Sequence, residues 1–293
     1  MPPKPDARAF FEAAKRKRKE HPWRWWWQKR LTALRWAMAQ CVSTVWKYTL
    51  GRWLWVKIYE SSGSVAAMLE VENLRYVREH TSIPVPIPLF WSHWPPFSKN
   101  TQRRPYVLMT KVPGVNLESV LTSLHDETKA RVVGQLASYV AQLRALQSPH
   151  GLSICSVVGG PVHCIRLRPG KPVGPFKSET EMNAYLRHQF SLDELDSSIS
   201  EMHARTHLPI TFTHGDLLPR NIMYHDGAIT AIIDWENAGW YPAHWEYIKA
   251  RFGLTHYEKL WAPWIPKYLE EYAEEWLADA RLSSVAWWIT GCD

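Results

Sequence analysis

The chain of 293 residues is 46% apolar and 22% charged, with only 14 glycines and 21 prolines, which excludes collagen-like, low-complexity and wholly disordered polymers. Its net charge of +7 is local: residues 1–60 carry 14 Lys/Arg against Asp6, Glu12, Glu20 and Glu60, a balance of +10, and the remainder is −3. The basicity therefore says little about what the main body binds. Cys41, Cys155, Cys164 and Cys292 form no Cys-x-x-Cys pair, and no uncharged apolar run is long enough to span a bilayer. The expectation is a soluble cytoplasmic protein with reduced thiols and no signal peptide.

Residues 1–40 read as a basic, Trp-rich extension. The run Lys15–Lys19 precedes Trp23, Trp25, Trp26 and Trp27, interleaved with Arg24, Lys29 and Arg30. Residues 15–36 have the composition for stacking on nucleic acid or resting on an anionic membrane, but a solvated, partly helical extension is the favoured reading. Val42–Tyr48 and Arg52–Tyr59 are β-like runs with Gly51 as a turn between them. Ser64–His80 predicts a helix, because Val65, Met68, Leu69, Leu74 and Val77 recur at helical spacing. The prolines of Ile83–Pro88 end it, since each removes a backbone donor and biases its predecessor to extended geometry. Tyr106–Thr110 predicts a strand closed by Pro113-Gly114.

Thr128–Gln147 carries a clear 3.6-residue apolar stripe. Residues 151–178 read as loop, and Gly159-Gly160-Pro161 as a turn rather than a phosphate loop. Glu179–His207 and Tyr257–Trp288 are further helical candidates.

The chemistry-bearing segment is Thr213-His-Gly-Asp-Leu-Leu-Pro-Arg-Asn221, followed by Ile232-Ile-Asp-Trp-Glu236. Asp216 and Asn221 sit five residues apart on a short loop, and Asp234 ends a buried apolar strand. A hairpin through Asp226-Gly227 would return that strand end to the loop. Oxygen ligands of this kind suit Mg²⁺ beside substrate phosphates, the arrangement phosphoryl transfer needs. A metal hydrolase built on His214, Asp216, His225 and Asp226 is the weaker alternative, because no third His has zinc-ligand spacing.

These two blocks resemble the aminoglycoside phosphotransferase and choline-kinase relatives, the small-molecule branch of the protein-kinase-like fold. Glu70–Pro86, Gly159–Pro161, Gly174–Phe176 and Trp245–Tyr247 are similar to short filamentous-fungal members. The resemblance implies an α+β, two-lobed protein-kinase-like fold: a small sheet-and-helix lobe over 41–110 and a mainly helical lobe over 111–293. It implies ATP and Mg²⁺ as cofactors and a small-molecule hydroxyl as acceptor. By the family pattern Asp216 is the catalytic base, Asn221 and Asp234 hold metal, and Lys57 contacts phosphate. Glu70 orients that lysine, with Glu72 as the competing choice, and the Val112 backbone meets adenine. Gly51 is the only glycine before Gly63, so no Gly-rich loop covers the phosphates. That departure keeps open a second reading, a catalytically silent pseudokinase acting as a scaffold.

Overall fold

The computed structural model describes residues 50–60, 63–94, 104–188, 190–205, 208–252 and 258–290. The basic leader, with its segment 15–36, and the strand expected over Val42–Tyr48 lie outside them. The chain divides into two compact units, Met1–Leu54 and Trp55–Asp293. In the first, the described part is a 3-10 turn at Leu50–Arg52 and the start of a strand.

The second unit opens with that strand, β1 (Leu54–Ile58), and helix α1 (Ser64–His80), whose bounds are those the apolar stripe predicts. Strands β2 (Pro88–Trp94) and β3 (Arg104–Thr110) pair antiparallel, and the sheet order is β1-β3-β2. The proline run hides β2 in the sequence. Pro88 is its first residue and β2 is an edge strand, the places where a missing donor is tolerated. Ala66, Ala67, Val71, Leu74 and Val77 bury one face of α1 in the principal core.

A short strand β4 (Val115–Asn116) pairs with β6 (Ile222–His225), which pairs with β7 (Ala228–Ile232); β5 (Ile210–Thr213) pairs with β8 (Gly239–Pro242). Asp226 and Gly227 both have positive φ, 46° and 83°, as a two-residue hairpin turn matched to strand twist requires. Helix α2 (Asp126–Ala145) buries Val132, Val133, Leu136, Val140 and Leu143 on the same core. The abundance of Trp is largely a packing feature here. Trp235, Trp240, Trp245 and Trp261 are fully buried, and truncating any one to Ala removes ~3–5 kcal/mol.

Two long helical expectations break. Glu179–His207 becomes α3 (Glu179–Leu186) and α4 (Ser197–Ala204), separated by a 3-10 turn at Leu192–Glu194. The breaks carry their own signals: Ser178 caps α3, Ser191 and Glu194 form a capping box, and Asp196 caps α4. Tyr257–Trp288 becomes a helical turn at Glu258–Trp261, a 3-10 segment at Ala262–Lys267 containing Pro263 and Pro266, and a helix at Ala273–Thr290. Between them, α5 (Trp245–Phe252) packs on the second core cluster beside the last helix, α6 (Ala273–Thr290). Among the described residues no helix is long and apolar enough to cross a membrane.

Where α3 to α6 meet, buried polar groups titrate abnormally. Burial, reinforced by Arg187 and Arg166, lowers His203 to about 4. Burial, with His203 and Arg144, lowers His244 to about 3, while burial raises Glu179 to about 7. Both histidines are thus neutral in the fold, and their unfolded forms gain protons below 6.5. That contribution to stability is full above pH 6.5 and lost as pH falls. Glu179 works in the opposite sense, from 4.5 to about 7. Within this cluster two groups outweigh one, so its net contribution to stability is expected to fall on acidification below pH 6.5. Thermal melts of His244→Gln across pH 4–7 should show a shallower acid limb than wild type; an unchanged slope refutes the assignment.

Candidate active site

The hairpin does what its turn requires. Pro219–Asn221 forms a 3-10 turn leading into β6, and β7 returns so that the Ile233 N–H donates to the Asn221 carbonyl at 2.9 Å. Asp234 therefore follows directly beside the loop that carries Asp216 and Asn221. It adopts the left-handed conformation, φ 67° and ψ 59°, rare for a side-chain-bearing residue and concentrated where function holds the backbone.

Lys57 of β1 is the hub. Its ammonium lies 2.8 Å from Glu70, 2.6 Å from Asp234 and 2.9 Å from Glu236. Burial disfavours the Lys57 charge, but the three carboxylates outweigh it and hold the group well above its ordinary value. Burial pushes the Glu70 carboxyl up to about 7, against the pull of Lys57. The buried Tyr59 hydroxyl also donates to Glu70, and Lys57 sits 4.8 Å over the Tyr59 ring. Glu72, the competing choice, is on another helix face, where it pairs with Arg75 at 2.9 Å.

Asp216 is engaged on both oxygens. Arg220 Nη2 donates to them at 2.7 and 3.0 Å, and Asn221 Nδ2 donates to Oδ2 at 2.7 Å. Because Asn221 spends its amide nitrogen on Asp216, its side-chain carbonyl is left as an acceptor.

Beneath this loop lies a buried frame. Glu246 of α5 accepts the His214 N–H at 2.6 Å and the Gly215 N–H at 3.2 Å. His214 Nδ1 accepts the Asp216 N–H and Nε2 donates to the Ile233 carbonyl, both at 3.1 Å, so one neutral imidazole ties the loop to the strand before Asp234. Gly215 has φ +77°, and a Cβ there would lie 2.8 Å from the Asn237 carbonyl oxygen. Asn73 of α1, three residues beyond Glu70, donates to the carbonyls of Trp235 at 2.7 Å and Ala238 at 3.2 Å. His214 is thus fully used by backbone, and His225 pairs with Asp226 at the exposed hairpin turn; neither arrangement gathers a hydrolytic metal.

Charged acceptors of two buried N–H groups contribute ~1.5–3 kcal/mol each. Glu246→Gln retains one oxygen and turns an amide N–H₂ towards these donors. The expected result is a lower melting temperature and slower turnover, by thermal melt and initial rate.

A cavity of about 370 Å³ is walled by Trp55 and Lys57 on one side, by Met109, Lys111 and Val112 on another, and by Met223, Ile233 and Asp234 below. That is the size of a small-molecule site. Thr110 fixes the Val112 wall, donating its N–H to the Ile87 carbonyl at 3.0 Å and accepting the Ile87 N–H on Oγ1 at 2.8 Å. The structure therefore brings Lys57, Glu70, Val112 and Asp234 to one cavity, and Asp216 and Asn221 to the adjoining loop. The sequence reading gave no role to Glu236, Arg220 or Glu246 and weighed His214 only as a metal ligand, although all four lie inside segments it singled out. Among the described residues Glu70, Asp234 and Glu236 form a carboxylate cluster, with one oxygen of each within 4.8 Å of the others.

Comparison with known proteins agrees. The model of the Phosphotransferase enzyme family matches residues 42–282. Among solved structures, the GDP complex of aminoglycoside 2'-phosphotransferase-IIIa superposes with a TM-score of 0.53 at 16% identity, over 82% of this chain and 79% of that one. An aminoglycoside-3'-phosphotransferase of type VIII matches at 0.49 and 19% identity, over 78% and 84%. No curated protein matches. The first superposition shows the α+β, kinase-like fold, and the match over most of its length shows that the chain belongs to the Phosphotransferase enzyme family, as a small-molecule phosphotransferase.

Proposed function

We propose that the protein transfers the γ-phosphoryl group of ATP, with Mg²⁺, to a hydroxyl of a small molecule. The observation that carries this is the Lys57 hub: one ammonium held by three carboxylates at the edge of a nucleotide-sized cavity. With all three ionised, the formal charge there is −3 + 1 = −2. The donors are all oxygen, and that charge matches a divalent cation. Asp234, Glu236 and the Asn221 side-chain carbonyl would hold it. When bound, Mg²⁺ supplies neutralisation of the polyphosphate charge.

In this reading residues 41–110 supply the nucleotide lobe and residues 111–293 the catalytic lobe. The Val112 backbone meets the base, Lys57 meets phosphate, and Glu70, steadied by Tyr59, orients Lys57. Asp216 orients the acceptor hydroxyl and takes its proton. The acceptor oxygen bonds to the γ-phosphorus as the bond from that phosphorus to its bridging oxygen breaks, and ADP leaves with the electron pair. The cytoplasm, where ATP is plentiful, is the compartment that fits.

The test is a thermal-shift series with ATP, Mg²⁺ and both. A ligand at 100 times its Kd adds about 2.7 kcal/mol to stability. A rise in melting temperature with ATP that grows with Mg²⁺ supports the proposal. No binding at millimolar ATP with Mg²⁺ sinks it and leaves the silent scaffold.

A further inference from the structure

Arg220 has no place in the function as stated, yet it touches the group that matters most. Its Nη2 lies between the two oxygens of Asp216, at 2.7 and 3.0 Å. Both contacts use that one nitrogen, which leaves the Nε–H on one side of the guanidinium and the Nη1–H₂ on the other as donors for a ligand. The side chain is 42% exposed while the Asp216 side chain is only 15% exposed, so the cation stands on the solvent side of the carboxylate. Its position is built: the Arg220 carbonyl accepts a hydrogen bond from Asn116 Nδ2, and Asn116 itself lines the cavity.

We infer that Arg220 determines acceptor specificity: the acceptor is a small hydroxyl compound bearing a carboxylate or phosphate that docks on a free N–H donor of the guanidinium, and polycations are rejected. This rests on the proposed phosphotransfer at Asp216. An acceptor must bring its hydroxyl to Asp216 and therefore passes Arg220. A polyamine arriving there meets a fixed like charge, and an anion meets a charged N–H donor already held in place by Asp216.

A second set of observations points the same way. Five of the carboxylates on and before the C-terminal helices, which would otherwise attract an amino sugar, are engaged locally or buried. Asp196 pairs with Arg281 at 3.2 Å and caps α4, and Glu274 pairs with Arg205 at 3.0 Å. Glu194 accepts from Ser191 N and Oγ, and Glu181 accepts the Lys177 N–H. Glu179 is buried, 3.6 Å from His244.

The experiment compares wild type, Arg220→Lys and Arg220→Glu. Calorimetry of Mg²⁺-ATP comes first; its failure in wild type removes the proposed function itself and is read separately. With Mg²⁺-ADP present, affinities are then measured for D-glycerate, glycerol 3-phosphate and kanamycin, and transfer from ATP to each is followed. Expected for wild type is weak but measurable binding of an anionic probe and none of kanamycin. Arg220→Glu should lower anion affinity about tenfold and admit kanamycin, the loss appearing in KM more than in kcat; screening of a half-exposed charge limits the effect to about this size. Arg220→Lys should restore part of the anion affinity, as a point charge that cannot hold Asp216 and the anion through separate guanidinium nitrogens. Glycerate against glycerol 3-phosphate identifies which anion is read. Wild type phosphorylating kanamycin overturns the proposal. So do unchanged affinities in Arg220→Glu, including no binding of any probe by either protein.

Discussion

Replacing Asp216 with Asn is expected to slow phosphoryl transfer by ~10²–10⁴-fold, the usual weight of a positioned general base, while Mg²⁺-ATP still binds. The substitution preserves size and removes the charge that orients and deprotonates the hydroxyl. It leaves only a neutral Oδ1 to accept from Arg220 and turns an amide N–H₂ towards Asn221 Nδ2, which now donates to Oδ2 at 2.7 Å. Two donors then face each other, so the loop loses order as well as charge. A melting curve recorded beside the rate separates these effects, because disorder lowers the melting temperature and loss of the base alone does not. The measurement is ATP affinity by calorimetry together with ADP release. If the Asn variant loses ATP binding as fully as a variant of Asp234, the division between base and metal ligand is wrong.

How much of this was legible in the sequence follows from the range of the interactions. Helix α1 and the β6–β7 hairpin are local: an apolar stripe at 3.6-residue spacing and an Asp-Gly turn specify them with no help from distant residues. Asp216, Asn221 and Asp234 were readable because a short loop and one hairpin bring them together. The Lys57 hub spans sequence separations of 177 and 179 residues, so only a family pattern could name Lys57, and the block that ends in Glu236 gave that residue no role. Glu246 stands in the Trp245–Tyr247 block that resembles the family, but its role as an acceptor appears only once the fold buries it against the His214 N–H. Strand β2 was hidden for a different reason. Its prolines argue against a central strand, and edge placement is a property of the sheet, not of the segment. The break within Glu179–His207 is written in local caps, Ser178, Ser191 and Asp196, and the break after Trp261 in Pro263 and Pro266.

The second large effect is expected at Asp234, and there stability and function should part. The residue holds a left-handed backbone that costs of order 1–3 kcal/mol and stands among like charges, with Glu70 and Glu236 within 4.8 Å. Asn tolerates that backbone nearly as well as Asp, whereas Ala does not. Asp234→Asn therefore isolates the charge: the cluster goes from −2 to −1, and Lys57 keeps Glu70 at 2.8 Å and Glu236 at 2.9 Å. The melting temperature should hold, because one of three carboxylates repelling one another is gone and the lysine stays paired. Mg²⁺-dependent enhancement of ATP affinity should disappear, and turnover with it. Asp234→Ala should lose the same function and also melt earlier, the difference being backbone strain. Calorimetry of ATP with and without Mg²⁺ reads the first effect and thermal melts the second. Persistence of the Mg²⁺ enhancement in Asp234→Asn would show that Glu236 and Asn221 suffice to hold the ion, and would remove Asp234 from the ligand set.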